Sequence, residues 1–288
     1  MSATGLLEIK RRINSVKNTQ KITKAMGLIS ISKLRNAKTK LKENYCYFNQ
    51  ICNIKKEIFY IGRNENNIFL KKNKSNNKLF LVIASDSGLC GSFNGNCIEF
   101  INEKYGLEKE NISVLVIGKR GISYINKYKL NLYKSYGDLD NEENYKNIKN
   151  IVFDFMESYY KENFGEVILV YTKYKSAIKQ EVVEENLLPL KNEFKENENL
   201  HLDEVVSIEE NVEELINILI YKYLEGKIIN CIFDSKTSEQ SVRMQAMNSA
   251  IKNADDILKS LTSKYNRIRQ SAITQEISEI VSGSEAQK

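Results

Sequence analysis

From Met247 onward, apolar or small residues recur at Ile251, Ala254, Leu258, Leu261, Tyr265, Ile268 and Ala272. The steps alternate four and three without a miss. That 3.5-residue repeat keeps one stripe of a helix against a partner helix and predicts a left-handed supercoil. No Pro interrupts the stretch from Ser238 to Gly283. Beyond Ala272 the apolar positions move to Ile273, Ile277, Ile280 and Val281, which lie outside the seam and need some other cover.

The other end of the chain supplies a partner. From Leu6 to about Ile61 there is no Pro and one interior Gly, Gly27, and Leu6, Ile9, Ile13 and Val16 keep helical spacing. Continuing that phase meets Gln20, Thr23, Gly27 and Ser30, while apolar residues stand at Ile22, Met26, Ile29 and Ile31 before Leu34, Ala37 and Leu41 restore the stripe. This pattern predicts a stutter that locally unwinds the coiled coil. Apolar groups on several sides of one helix are expected where other chains surround it.

Between these ends the period changes. Gly62 to Lys78 is an Asn- and Lys-rich connection that reads as a boundary. Leu79 to Ala84, Ile112 to Ile117 and Val167 to Tyr171 are continuous apolar runs suited to buried strands, with a weaker strand at Leu132 to Tyr136. Helices are expected at about Asn94 to Tyr105, Lys119 to Tyr128 and Glu142 to Asn163. Strand and helix in alternation imply a mostly parallel, Rossmann-like α/β sheet covered on both faces. Lys175 to Leu190 reads as an edge hairpin, with Pro189 at an edge or turn position. An acidic loop with Glu193, Glu196, Glu198, Asp203 and Glu204 follows. Asn211 then opens a run with Val212, Leu215, Ile216, Leu219, Tyr223 and Leu224 at helical spacing and no firm stop before Ser238. Gly226 weakens it by about 1 kcal/mol relative to Ala. Continuous to Ser282, that helix has roughly 70 residues and a length on the order of 105 Å. The expected organisation is an N-terminal helix at 1–61, an α/β domain at 78–207 and a C-terminal helix at 210–288, the two helices forming a long antiparallel coiled coil.

Composition agrees with long helices and one modest core: 288 residues carry one Pro, no Trp and 42% hydrophobic residues. No apolar run reaches the roughly 18 residues that a membrane span needs. Cys46, Cys52, Cys90, Cys97 and Cys231 are scattered without metal-ligand spacing beside a single His, His201, so neither structural zinc nor a disulfide framework is expected. The net charge of +6 is uneven, since Met1 to Lys42 holds eleven Lys and Arg against Glu8 alone. Such a basic helix suits nucleic acid, anionic lipid or an acidic protein surface.

Catalytic chemistry has little to stand on. The turn Ser85 to Asn94, S-D-S-G-L-C-G-S-F-N, sits between a strand and a helix, where open α/β sheets hold phosphates. No Lys follows its second glycine and it is not G-x-G-x-x-G, so Gly88 and Gly91 are read as permitting a tight turn. Cys90 at a helix start would favour a thiolate, but no His lies near it in sequence. Pairs such as Glu184 with Glu185 and Glu209 with Glu210 lie in solvated segments without an apolar pocket to tune them. No catalytic, cofactor or metal site is assigned. Nucleic-acid binding by the basic helix is the alternative reading; it lacks aromatic residues for base stacking before Tyr45.

Three separated blocks resemble one family. Ile9 to Met26, I-K-R-R-I-N-S-V-K-N-T-Q-K-I-T-K-A-M, Ser85 to Gly91, S-D-S-G-L-C-G, and the pair Arg243 to Met247, R-M-Q-A-M, with Arg269 to Gly283, R-Q-S-A-I-T-Q-E-I-S-E-I-V-S-G, are similar in order and spacing to the gamma chain of the rotary ATP synthase. Ser271 and Ser284 stand where that family commonly has Ala, and Glu204 to Asn211 replaces its Tyr- and Pro-containing segment. The resemblance implies a non-catalytic rotor in the centre of a ring of three alpha and three beta subunits, standing with epsilon on a membrane ring of c subunits. It implies coupling of proton or sodium flow to ATP synthesis or hydrolysis at the cytoplasmic face of a bacterial membrane, without insertion into it, nucleic acid or thiol control. By position it implies that Lys24, Met26 and Arg243 meet the beta lobes, and that Gln270, Thr274 and Glu276 touch the upper sleeve of the ring.

Overall fold

The computed structural model describes residues 2–62, 66–137, 145–192 and 212–286. The acidic stretch from Glu193 to Asn211, His201 included, lies outside the described residues. By its contacts the chain divides into two units, Lys33–Val242 and the pair of segments Met1–Ser32 and Arg243–Lys288. Two helices, α1 (Ser2–Ile61) and α5 (Val212–Glu285), contribute to both.

In the larger unit the apolar runs form strands because both of their faces are covered. β1 (Lys78–Ile83), β2 (Ile112–Ile117), β3 (Asn131–Tyr136), β4 (Glu166–Tyr174) and β5 (Gln180–Leu188) make one sheet in the order β3-β2-β1-β4-β5. β1 pairs in parallel with both β2 and β4, and β3 in parallel with β2; β5 returns antiparallel along β4 as an edge hairpin, with Pro189 directly after it. Strands that feed parallel neighbours need crossover helices, and these supply the cover. The alternation along each strand then splits the core in two. Phe80, Val82, Val114, Val116 and Val170 face α2 (Phe93–Tyr105) and α3 (Gly121–Tyr128) through Cys97, Ile98, Ile101 and Ile125. Leu79, Leu81, Leu115, Val167 and Leu169 face the opposite way, toward α4 (Tyr145–Tyr160). That second core also takes Ile51 and Ile58 from α1 and Ile216, Ile220, Leu224 and Ile228 from α5.

The connection after α1 holds more structure than its composition suggests. Asn67, 1% exposed, caps a short turn by accepting the Phe69 amide and donates 2.7 Å to Asn217. Phe69 stacks near Tyr159, and the Asn73 amide donates to the carbonyls of both Tyr159 and Phe164. Asn side chains that satisfy turn backbone let a polar segment pack.

The smaller unit is an antiparallel helix pair, since Gln20 pairs with Asp255 while Gly27 lies against Met247. From Met247 to Ala286 the only residues not fully exposed are Met247, Ile251, Ala254, Leu258, Leu261, Tyr265, Ile268 and Ala272, the eight seam positions. On α1 the sheltered series runs Leu6, Ile9, Ile13, Val16, Gln20, Thr23, Gly27 and Ser30, and in the larger unit it goes on through Leu34, Ala37 and Leu41. This alternation of three and four does not shift, so the expected stutter is absent from the buried stripe. Its apolar markers, Ile22, Ile29 and Ile31, are exposed instead. The seam keeps its phase through polar residues because they satisfy themselves: Thr23 and Ser30 donate to the carbonyls of Thr19 and Met26, four residues back, and Gln20 donates 2.6 Å to Asp255.

Two glycines separate packing from helix propensity. A Cβ added at Gly27 would sit 3.5 Å from the Met247 Cβ, an ordinary contact, whereas one added at Gly226 would meet three atoms of the buried Ile51 side chain at 3.0, 3.0 and 3.2 Å. Gly27→Ala should therefore stabilise the chain by about 0.5–1 kcal/mol through the helix alone. Gly226→Ala should destabilise it by about 1–3 kcal/mol through overpacking, with part of the loss restored by Ile51→Val. Urea unfolding followed by helical circular dichroism gives both signs; a gain at both glycines would contradict the close approach at Ile51.

Candidate functional site

Two places could carry function: the carboxyl ends of the strands in the larger unit, and the outer surface of the helix pair. The first is where an open α/β sheet holds a ligand. Here the turn after β1 is satisfied from within. The Ser85 amide donates 2.8 Å to the Asn94 side-chain oxygen, and the Asn94 amide donates 2.8 Å to Ser85 Oγ and 3.1 Å to Cys90 Sγ. The Asp86 carboxylate accepts the Lys119 amide at the entrance to α3, the position an anion would take. Residues of α5 close over the strand ends, and the cavity left among Ser85, Asp86, Gly118, Ser235, Lys236 and Glu239 measures about 20 Å³.

The glycines of this turn divide their roles differently from the sequence expectation. Gly91 adopts φ +56°, but the second left-handed residue is Leu89, φ +62°, and not Gly88. Val242 lies 3.3 Å from where a Gly91 Cβ would be, so that glycine serves close packing as well as the turn.

The thiols follow burial. Cys90, Cys97 and Cys231 are buried, and desolvation pushes Cys97 up to about 11 and Cys231 up to about 12. Both are protonated and inert at neutral pH. Cys46 is exposed and Cys52 partly so. Among the described residues no three His, Cys, Asp or Glu side chains could hold a metal ion, and no helix is long and apolar enough to cross a membrane.

The surface of the helix pair is a different matter. All eleven Lys and Arg of the first 42 residues are exposed. Among them, in the smaller unit, stand Ile22 at 62%, Leu28 at 69%, Ile29 at 57% and Ile31 at 48% exposure. At 3.6 residues per turn Ile22 and Ile29 lie on one side of the seam and Leu28 and Ile31 on the other. Scattered single apolar residues mean little, but four within ten positions, on both flanks of one helix, make a contact surface. A second exposed set, Ile273, Ile277, Ile280 and Val281, lies on α5 past Ala272. The Gln20–Asp255 register puts Ser2 about level with Ala272, so no described residue of α1 lies beside these last turns.

The residues singled out in the sequence fall unevenly on these surfaces. Lys24 is exposed beside Leu28, and Met26 is half-buried. Arg243 is 6% exposed in the chain. Gln270, Thr274 and Glu276 are exposed; Thr274 donates 3.0 Å to the Gln270 carbonyl on one face, and Glu276 points away from both. Ile22, Ile29 and Ile31 stand out in the sequence as out-of-phase apolar positions on a helix expected to be surrounded by other chains, whereas Leu28 does not.

Comparison with known proteins gives one answer. Residues 5–287 match a family model described as ATP synthase. The chain is 52% identical over 288 residues to the ATP synthase gamma chain of Clostridium perfringens strain SM101, covering 100% of both. Its fold is similar to a chain in the mitochondrial ATP synthase of Euglena gracilis (OSCP/F1/c-ring, rotational state 3), with a TM-score of 0.71 and 17% identity over 98% of this chain and 94% of that one. A chain of the rotor of the same assembly matches with a TM-score of 0.68 and 15% identity over 94% and 99%.

The filled strand ends predict that the isolated chain shows no saturable binding of ATP or ADP by titration calorimetry at millimolar nucleotide. A saturable isotherm lost on mutation of Asp86 would restore a ligand site there.

Proposed function

This chain belongs to the ATP synthase gamma chain family, and from that premise we propose how its surfaces couple rotation to nucleotide exchange. It is a central-stalk subunit of the F-type ATP synthase and does no catalysis itself; its partners are the alpha and beta subunits, epsilon and the c-ring. We infer that the helices at 1–61 and 210–288 act as the turning coiled coil and that the α/β domain at 78–207 is carried on them. We also place the chain at the cytoplasmic face of a bacterial membrane, as a peripheral subunit in an ion-translocating complex.

The observation that carries this reading is the exposed apolar set on α1, distributed unevenly about the helix pair. A partner can bias a neighbour's conformation only by touching its states differently. Moving a two-state pocket from 1:99 to 99:1 takes about 5.5 kcal/mol. Burying a Leu or Ile side chain contributes about 1.5–3 kcal/mol, so two or three of Ile22, Leu28, Ile29 and Ile31 meeting one beta subunit and not the next are enough. Lys24 and Met26 adjoin this set and would share its contact. Arg243 would act from beneath, holding α5 in place against α1. Gln270, Thr274 and Glu276, with the exposed apolar residues beyond Ala272, would be the surface turned toward the upper sleeve. The basic residues add attraction to acidic lobes that salt weakens, with a screening length of about 8 Å at physiological ionic strength.

Reconstitution with alpha and beta subunits tests the reading: one copy should join each hexamer, and multisite ATPase activity should depend on it. The double variant Ile22→Ser, Ile29→Ser should unfold within about 0.5 kcal/mol of the parent, since both residues are exposed in the chain alone. In vesicles it should nonetheless lower ATP-driven ion pumping by roughly tenfold, the effect of losing about 1.4 kcal/mol of differential contact. Arg243→Ala should lower coupling more than assembly. Unaltered pumping by both variants would sink the assignment of these surfaces.

A further inference from the structure

The cavity where α5 closes over the strand ends is small, lined by Ile83, Ile117 and Ile232 as well as by polar side chains, and incompletely satisfied. Ser235 is 1% exposed and lines it, and its hydroxyl has no hydrogen-bond partner among the described residues. The other polar groups on the lining are of two kinds. Ser85 is saturated, its hydroxyl bonded to Asn94 and to the Ser87 carbonyl. Asp86 and Glu239 bring carboxylates, each able to accept about four hydrogen bonds, beside the Lys236 ammonium. The space within it, about 20 Å³, has room for about one water, and the polar side chains on its lining give that water the partners a dry, apolar cavity lacks.

We propose that this cavity is a single-water site, in which one buried water accepts the Ser235 hydroxyl proton from α5 and donates to the carboxylates of Asp86 and Glu239. The water then occupies the crevice that a ligand takes in nucleotide-binding sheets of this kind, and it adds a polar link between the C-terminal helix and the ends of β1 and β2 to the apolar packing of Ile232 near Ile83 and Ile117. Ser238, one turn further along α5, provides the contrast. It is 0% exposed and its hydroxyl is also without a partner among the described residues, yet it is not part of this cavity's lining.

The two serines therefore respond oppositely to loss of the hydroxyl, while any gain in helix propensity is common to both. In the full-length purified chain, Ser238→Ala should raise the apparent Tm by about 2–4 °C, because an unsatisfied group is removed. Ser235→Ala should bring no such gain and should melt about 2–4 °C below Ser238→Ala, because the water loses a partner. Equal gains at both positions would overturn the proposal, as would a structure at about 2 Å or better with no density within hydrogen-bond distance of Ser235 Oγ. A peak there that also reaches Asp86 or Glu239 would support it.

Discussion

The 3.5-residue stripe shared by α1 and α5 is the constraint on which the helix pair rests. A pair of helices has only one seam, so every side chain outside it is left to solvent or to other molecules. Between Met247 and Ala286 the eight seam residues are sheltered and everything else is exposed. Most helix stability in proteins comes from packing of an apolar face rather than from propensity, so the narrow seam is what holds the pair together. That requirement explains why its phase continues through Gln20, Thr23, Gly27 and Ser30. A real shift of phase would turn the stripe away from its partner, whereas polar residues bonded to their own helix, or to Asp255 across the seam, keep it facing inward.

In the larger unit the same two helices meet a different demand. Parallel strands with both faces apolar need two covering layers, and α4 alone does not complete the second. Ile51 and Ile58 from α1 and five or more apolar residues from α5 finish it. Closing the sheet in this way brings the polar residues Asp234, Ser235, Lys236 and Glu239 to the strand ends. Asp234 accepts the Tyr174 amide at 2.7 Å just where β4 stops, and burial raises its pKa against that hydrogen bond. What would be a ligand crevice in an enzyme is occupied by the chain's own helix.

Much of this was legible in residue order. The seam positions from Met247 to Ala272, the alternating strands and helices, and the antiparallel edge at Lys175 to Leu190 follow from period and from runs of β-branched residues. Three things were not. The apparent stutter arose because hydrophobicity was used as a proxy for burial, and at Gly27 and Ser30 size and self-satisfied hydroxyls decide which face is inside. Arg243, placed by the resemblance against the beta lobes, is a charge that the chain itself largely covers, which residue order alone does not reveal. The polar Asn67 to Asn77 connection packs through side-chain amides that satisfy its turns, a property invisible to composition.

The segment from Gln20 to Ile31 inverts the usual arrangement of a soluble helix. Its seam holds a glycine, two hydroxyls and an amide, while Ile22, Leu28, Ile29 and Ile31 stand outside. A seam of that kind buries little apolar area, so the pair's own cohesion is least here; the outward apolar area is greatest at the same level. Gly27 allows α1 to approach Met247 closely and keeps the pair thin where its outer side chains must be met by something else. The affinity of this stretch is therefore directed outward, and because its apolar groups sit on two flanks of unequal shape, a surrounding partner meets a different surface at each angle. Asymmetry of that sort needs no pocket and no chemistry, only side chains held at fixed angles by a seam whose register does not slip.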